Sequence, residues 1–222
     1  MKIAIDGPAG AGKSSAAREV ARRLGFRYLD TGAMYRAITV QALEKNVDMQ
    51  DEDALVDLTR RSELEVKSDD QNGNLILLNG RDITRAIRQP IVNKYVSIVA
   101  AVPGVRKELV NLQRKTSLNS GNIVMEGRDI GTNVLVDAEF KFYLSATVEA
   151  RAKRRWLEMT EQGMNVPFDE LLDEISMRDQ LDQKREDSPL CIAPDAYVID
   201  TTPYSLAEVV TKILSIVSHT TH

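Results

Sequence analysis

The sequence has one cysteine, Cys191, in 222 residues. No disulfide can close within the chain, and no cysteine cage can hold zinc. Standing alone before Ile192, Cys191 reads as a small, half-buried apolar residue. Histidine is almost as scarce. The two present, His219 and His222, both lie in the C-terminal tail, so a histidine-dependent triad or zinc site in the body of the chain is excluded. No apolar run approaches the roughly 20 residues needed to cross a bilayer. The N-terminus "MKIAIDGPAG" enters a strand-and-glycine pattern without the apolar core of a secretory signal. No membrane partner and a cytoplasmic location are therefore expected. Nor does one sign of charge dominate. The 29 basic residues against 33 acidic ones leave a net charge of -4, which gives no global pull toward nucleic acid or an anionic surface.

What is present suits a globular α/β chain. Hydrophobic residues make up 43% and charged residues 28%, and a chain of this length buries about 70% of its unfolded surface without staples. Short apolar runs, "KIAID", "FRYLD", "NIVME", "EFKFYLSA" and "AYVIDT", read as strands. Between them lie helical patterns, including "KSSAAREVARRL", "GAMYRAITVQALEK", "DEDALVDLTRRS", 88–101, 104–118, 147–162 and 168–185. "SLAEVVTKILSIV" reads as a last helix, its Ser205 and Glu208 spaced as a capping box. Strands alternating with helices point to a parallel sheet covered on both faces. The alternation is interrupted at 63–84, where Asn72-Gly73 and Asn79-Gly80 each mark a tight hairpin turn, because a type I′ turn needs positive φ at both central residues.

The segment "GPAGAGKS", Gly7-Pro8-Ala9-Gly10-Ala11-Gly12-Lys13-Ser14, fits the spacing of a phosphate-binding loop. Glycines let successive backbone N–H groups turn inward around phosphate oxygens, and the helix opening at Lys13 adds its partial positive charge. Lys13 is placed to reach the β- and γ-phosphates and Ser14 to ligate Mg²⁺, with Ser15 following at the rim. The loop follows a strand and opens a helix, which is the context the pattern requires. ATP or GTP is the implied ligand. The chain has no N-K-x-D run after a strand, so the usual guanine reader is missing and ATP is favoured.

Two further segments carry chemistry. "DTGAMYR" (30–36) follows the second strand and offers Tyr35 and Arg36 one turn into a helix. "MEGRDIG" (125–131) ends a buried strand and places Arg128 and Asp129 where open α/β sheets bind ligands, beyond the carboxyl ends of their strands. An arginine fork suits a phosphate oxygen pair. An aspartate suits an amino donor. Together with "RDQLDQKRED" (178–187), these segments resemble the bacterial cytidylate kinases, and the resemblance spans nearly the whole chain.

That resemblance implies a P-loop NTPase three-layer fold with a central parallel sheet, helices on both faces and a small antiparallel hairpin insertion. It implies ATP-dependent transfer of phosphate, with Mg²⁺, to CMP and dCMP. The core would comprise residues 1–30, 120–147 and 190–218, the acceptor-binding region 31–119 with the insertion at 63–84, and a lid 148–166. In the family, arginines matching Arg36, Arg128 and Arg185 hold the acceptor phosphate. Residues matching Ser97, Arg106 and Asp129 read cytosine. Those matching Arg178 and Asp182 hold the sugar near Tyr35. In the lid, Arg151 and Arg155 are one helical turn apart and share a face, so either could approach the transferring group. Many family members have aspartate where this chain has Glu126, and Asp30 is a rival to Glu126 for organising Mg²⁺ through water. On the charged helix, Asp179, Gln183 and Lys184 read as a solvated face. A monomer is expected, since nothing in the fold needs a partner to complete it. Kinases of other small acceptors, such as shikimate, and a slow nucleotide-driven switch share the same cradle. The Ser97, Arg106 and Asp129 set disfavours the first, and rapid transfer to a free nucleotide would dismiss the second.

Overall fold

A computed structural model describes residues 1–69, 73–161 and 163–220. In chain order the elements are β1 (Lys2–Asp6), α1 (Lys13–Leu24), β2 (Arg27–Asp30), α2 (Thr31–Glu44), α3 (Glu52–Arg60), β3 (Leu64–Asp69), β4 (Gly73–Leu78), β5 (Arg81–Asp82), α4 (Pro90–Val99), α5 (Pro103–Leu118), β6 (Ile123–Glu126), β7 (Phe140–Ser145), α6 (Val148–Glu161), α7 (Phe168–Lys184), β8 (Tyr197–Asp200) and α8 (Leu206–Thr220). The five strands read from the sequence form one parallel sheet in the order β2-β6-β1-β7-β8.

The strand alternation decides which helices cover which face. Ile3 and Ile5 of β1, Val124 of β6, Phe142 and Leu144 of β7 and Ile199 of β8 share a core with α1 and α8. Ala4, Leu29, Ile123 and Met125 point the other way, into a core completed by α2–α5. Helix α1 buries Ala16, Ala17, Val20 and Ala21, small side chains that let it lie close to the sheet. Each fully buried Ile or Val contributes about 1.5–3 kcal/mol.

Helix boundaries follow their capping chemistry. Asp30 and Asp51 cap α2 and α3 by accepting the amides of Ala33 and Ala54 at 3.0 and 2.9 Å. The capping box on α8 forms, with the Ser205 amide donating to Glu208 at 2.8 Å. The helix expected over 88–101 starts later. Pro90 and Pro103 occupy the first turns of α4 and α5, where a missing N–H costs nothing. A short 3-10 turn, Ala86–Arg88, precedes α4. The helix expected to end at 185 stops at Lys184, and Arg185 is extended. Cys191 is exposed rather than half-buried. It lies in an irregular connection where Leu190 and Ala193 take the buried positions.

The insertion forms a three-stranded antiparallel sheet, β3-β4-β5. Asn79 and Gly80, at φ 51° and 77°, make the turn between β4 and β5 as the Asn-Gly signal requires. The other Asn-Gly turn includes Asn72, which lies outside the described residues. This small sheet covers the edge of β2. The Asn74 side chain accepts the Asp30 amide at 2.7 Å and donates to the Tyr28 carbonyl at 2.9 Å. Arg27 donates to the Val66 carbonyl at 2.9 Å. An edge strand that would otherwise present open backbone groups is thereby blocked.

Candidate active site

The phosphate-binding loop sits between β1 and α1, at the carboxyl end of the sheet. Gly7 has φ 143°, and a Cβ there would lie 2.0 Å from the Leu144 carbonyl oxygen, so only glycine allows β1 and β7 to run this close into the loop. Three loop carbonyls have fixed partners. Lys13 donates to Pro8 at 2.8 Å, Arg151 to Ala9 at 3.0 Å, and the Thr201 hydroxyl to Ala11 at 3.1 Å. Burial, with Arg128 adding like-charge repulsion, lowers the Lys13 ammonium to about 7.

Just before the loop, Asp6 is buried and spans to the Gly-Arg-Asp segment. Its two oxygens accept the amides of Ile130 and Gly131 at 2.8 and 2.7 Å. Burial pushes its carboxyl up to about 6. The segment continues as one wide helical turn, in which the amides of Val134 and Leu135 reach the carbonyls five residues back. Gly127 is forced by close approach, since a Cβ would lie 2.6 Å from the Thr31 hydroxyl. That hydroxyl donates to the Glu126 carbonyl at 2.7 Å, locking the start of α2 to the end of β6.

The oxygens near Ser14 suit a hard cation. Glu126 is buried, accepts the Tyr28 hydroxyl at 2.7 Å and bonds Ser14. Burial raises its carboxyl, and the charge of Asp30 raises it further. Asp30 is committed as the cap of α2 through one oxygen. A serine hydroxyl with two neighbouring carboxylates fits Mg²⁺, which takes few protein ligands and shares the rest with phosphates and water. Ser14, Asp30, Arg36, Asn74 and Arg88 line a cavity of ≈ 210 Å³ at this point.

On the acceptor side the arginines fall into two groups. Arg36, Arg128 and Arg178 gather with Lys13 and repel one another. Burial, then Arg128 and Arg36, lower the Arg178 guanidinium to about 10, and its Nε is buried without a partner. Arg128 is held by Asp182 at 2.7 Å. The second group surrounds Asp129. Arg106, 1% exposed, pairs with it at 2.5 Å, and Arg185 lies 3.3 Å from its other oxygen. Arg106 also stacks over the Tyr35 ring at 5.6 Å. Arg185 is turned toward Asp129 by its bond to the Ser188 carbonyl, 2.6 Å. Ser97 is half-buried on α4, which packs against α2 and α7.

The two α6 arginines expected in the lid differ. Arg151 is 3% exposed and fully engaged, donating to Ala146, Ala9 and both oxygens of Asp179. Arg155 is 42% exposed, and among the described residues it pairs with Glu158, at 3.5 Å. The solvated reading of Asp179 is thus corrected: it is the half-buried partner of Arg151.

This arrangement, a phosphate cradle facing a cluster of arginines, has a counterpart in sequence. The family model "Cytidylate kinase" matches residues 3–219. The chain belongs to the cytidylate kinase family. A "Cytidylate kinase" of Bacillus velezensis is 52% identical over 98% of this chain and 96% of its own length. Another, from Caldanaerobacter subterraneus, is 48% identical over 96% and 92%. A shikimate kinase from Bacteroides thetaiotaomicron superposes with a TM-score of 0.50 and 12% identity, covering 98% of both chains, which shows a shared P-loop kinase fold. Membership makes the chain a phosphotransferase, and among the described residues no helix is long and apolar enough to cross a membrane. Four residues that build this family member's site escaped the sequence reading: Asp6, Asn74, Asp179 and Thr201. Only Asp6 had a local signal, an acid at the end of a buried strand immediately before the first loop glycine.

Proposed function

We propose that this chain transfers the γ-phosphoryl group of ATP to the phosphate of CMP and dCMP, giving CDP and dCDP. The observation that carries the reading is a cluster of positive charge. The buried Lys13 and the half-buried Arg36, Arg128 and Arg178 converge, and among the described residues Asp182 is the acid closely paired with them; their mutual repulsion is relieved when an anion enters. Two phosphates, one from each substrate, would supply it.

Donor phosphates would lie on the backbone N–H groups of Ala9–Ser15 and on Lys13. Ser14 would hold Mg²⁺, with Glu126 and Asp30 beside it, and the bound ion supplies charge neutralisation on the phosphates. Arg36, Arg128 and Arg185 take the acceptor phosphate, and Arg178 with Asp182 the sugar. Ser97, Arg106 and Asp129 read the base, with Tyr35 stacked beneath Arg106. Asp129 accepts from the cytosine amine. Uracil would place a carbonyl there and leave acceptors facing each other, a mismatch that discriminates strongly. The acceptor oxygen is already anionic, so no general base is required, and catalysis is positioning plus charge stabilisation. Arg155, exposed and paired with Glu158 at 3.5 Å, is the lid arginine assigned to the transferring group. Residues 31–119 form the acceptor side and 148–166 the lid, whose closure excludes water. The chain acts as a cytoplasmic monomer.

The test is an acceptor panel with ATP: CMP, dCMP, UMP, AMP and dTMP. Both cytidine nucleotides are expected to exceed UMP by about 10²-fold or more in kcat/KM. Equal use of UMP would remove Asp129 from base reading.

A further inference from the structure

The contact between Asp179 and Arg151 reaches the phosphate-binding loop. Arg151 extends from α6 across the apex of the loop, where a Cβ at Gly10 would lie 3.1 Å from the Arg151 Cβ. Its Nη1 donates to the Ala9 carbonyl at 3.0 Å. The Ala9–Gly10 peptide is planar and trans, so a carbonyl held outward fixes the Gly10 N–H on the opposite side. If the loop holds ATP as proposed, that N–H is one of the donors a phosphate oxygen would meet. Arg151 is therefore a strut that presets one amide of the cradle.

A strut must itself be held. Arg151 is buried, and a buried guanidinium without a counterion is costly. Among the described residues its carboxylate partner is Asp179, which makes both arms of a fork: Oδ1 to Nη1 at 3.0 Å and Oδ2 to Nη2 at 2.5 Å. This bidentate geometry fixes the guanidinium plane as well as its charge. Asp179 lies on α7 between Arg178 and the turn bearing Asp182, rotated about 100° from Arg178 around the helix. One rigid helix thus presents Asp182 to Arg128 on the acceptor side and Asp179 to Arg151 on the donor side.

We infer that Asp179 is a positioning residue for the donor cradle, acting through Arg151 on the Ala9–Gly10 peptide. The inference rests on the reading of Gly7–Ser14 as the ATP site. It does not depend on the identity of the acceptor.

The experiment compares wild type, Asp179→Asn, Arg151→Gln and the double variant by calorimetric titration with ATP–Mg²⁺ and, separately, with CMP. Thermal melting is recorded for each. Asp179→Asn keeps the shape of the side chain but supplies one acceptor oxygen in place of two. Its ATP Kd is expected to rise about tenfold, the size of one lost charge-assisted bond, with CMP Kd changed less than about twofold. The double variant is expected to bind ATP no more weakly than the worse single variant, because both break the same link. An unchanged ATP Kd, an equal weakening of ATP and CMP, or additive losses would each overturn the inference. Should Asp179→Asn melt below the assay temperature, Arg151→Lys keeps the charge but loses the fork and must show the same split between ATP and CMP. A chain that bound ATP in this pattern yet failed to phosphorylate CMP would reject the acceptor assignment alone.

Discussion

In the proposed reading the donor cradle and the acceptor side both hold phosphate, yet they are assembled differently. The cradle is local. Its glycines, Lys13 and Ser14 lie within nine residues, and Lys13 reaches back only to Pro8. The proposed acceptor side is drawn from four distant stretches, with Arg106–Asp129 and Arg128–Asp182 joining three of them across 23 and 54 positions. A local site is preset by backbone conformation. A distributed one is preset by ion pairs, and its charges stay mutually repulsive until a ligand arrives. The comparison teaches that the same ligand chemistry can depend on φ angles in one half of a cleft and on tertiary packing in the other.

The largest way to separate the two halves is Lys13→Ala. It removes the one cradle cation and is expected to lower kcat by about three orders of magnitude, while CMP affinity by titration stays within about twofold. Near-normal turnover would refute the cradle assignment. On the acceptor side, Arg178→Ala and Asp182→Ala are expected to raise the KM for CMP by about 10–100-fold, the cost of losing a charge-assisted contact, and to leave ATP binding intact. Loss of both substrates in proportion would return this face of α7 to a merely structural role.

A smaller effect sharpens the electrostatic side of the comparison. Lys13 titrates near 7 in the free protein because it is buried among cations. Phosphate binding favours its charged form and moves that value upward. Above pH 7 the free lysine is largely neutral and the bound one charged, so ATP binding should take up close to one proton, about 0.8–1 at pH 8. Below pH 6 both states are protonated and uptake should vanish. Calorimetry in buffers of different ionisation enthalpy measures it, and no uptake between pH 7 and 9 would show that Lys13 is charged before ATP binds.

The residues that were legible share a property: their roles follow from neighbours in sequence. The cradle is one run, the Asn79–Gly80 turn needs two residues, and the box of Ser205 and Glu208 needs four. The residues that were not legible act across the fold. Asp179 stands among charged residues on an exposed-looking helix, and nothing beside it signals that α6 will bring Arg151 against it. Thr201 follows the last strand without any local mark, yet it meets Ala11 across 190 positions. Arg185 continues the helical spacing of Arg178 and Asp182, but the helix ends one residue short of it and its side chain swings to Asp129.

By itself the sequence determined the alternation of strands and helices, the phosphate cradle, the insertion, and the lack of an intrachain disulfide and of any histidine in the body of the chain. Each is written in the period of apolar residues, in glycine's tolerance of positive φ, or in the plain lack of a side chain. The tertiary structure alone decided which of two α6 arginines is buried against the loop and which stays exposed. It also decided which acid neutralises which arginine, and where the insertion docks. Charges on a chain can pair in many ways. The buried, low-dielectric contacts that select one pairing exist only once α6, α7 and the sheet have packed together.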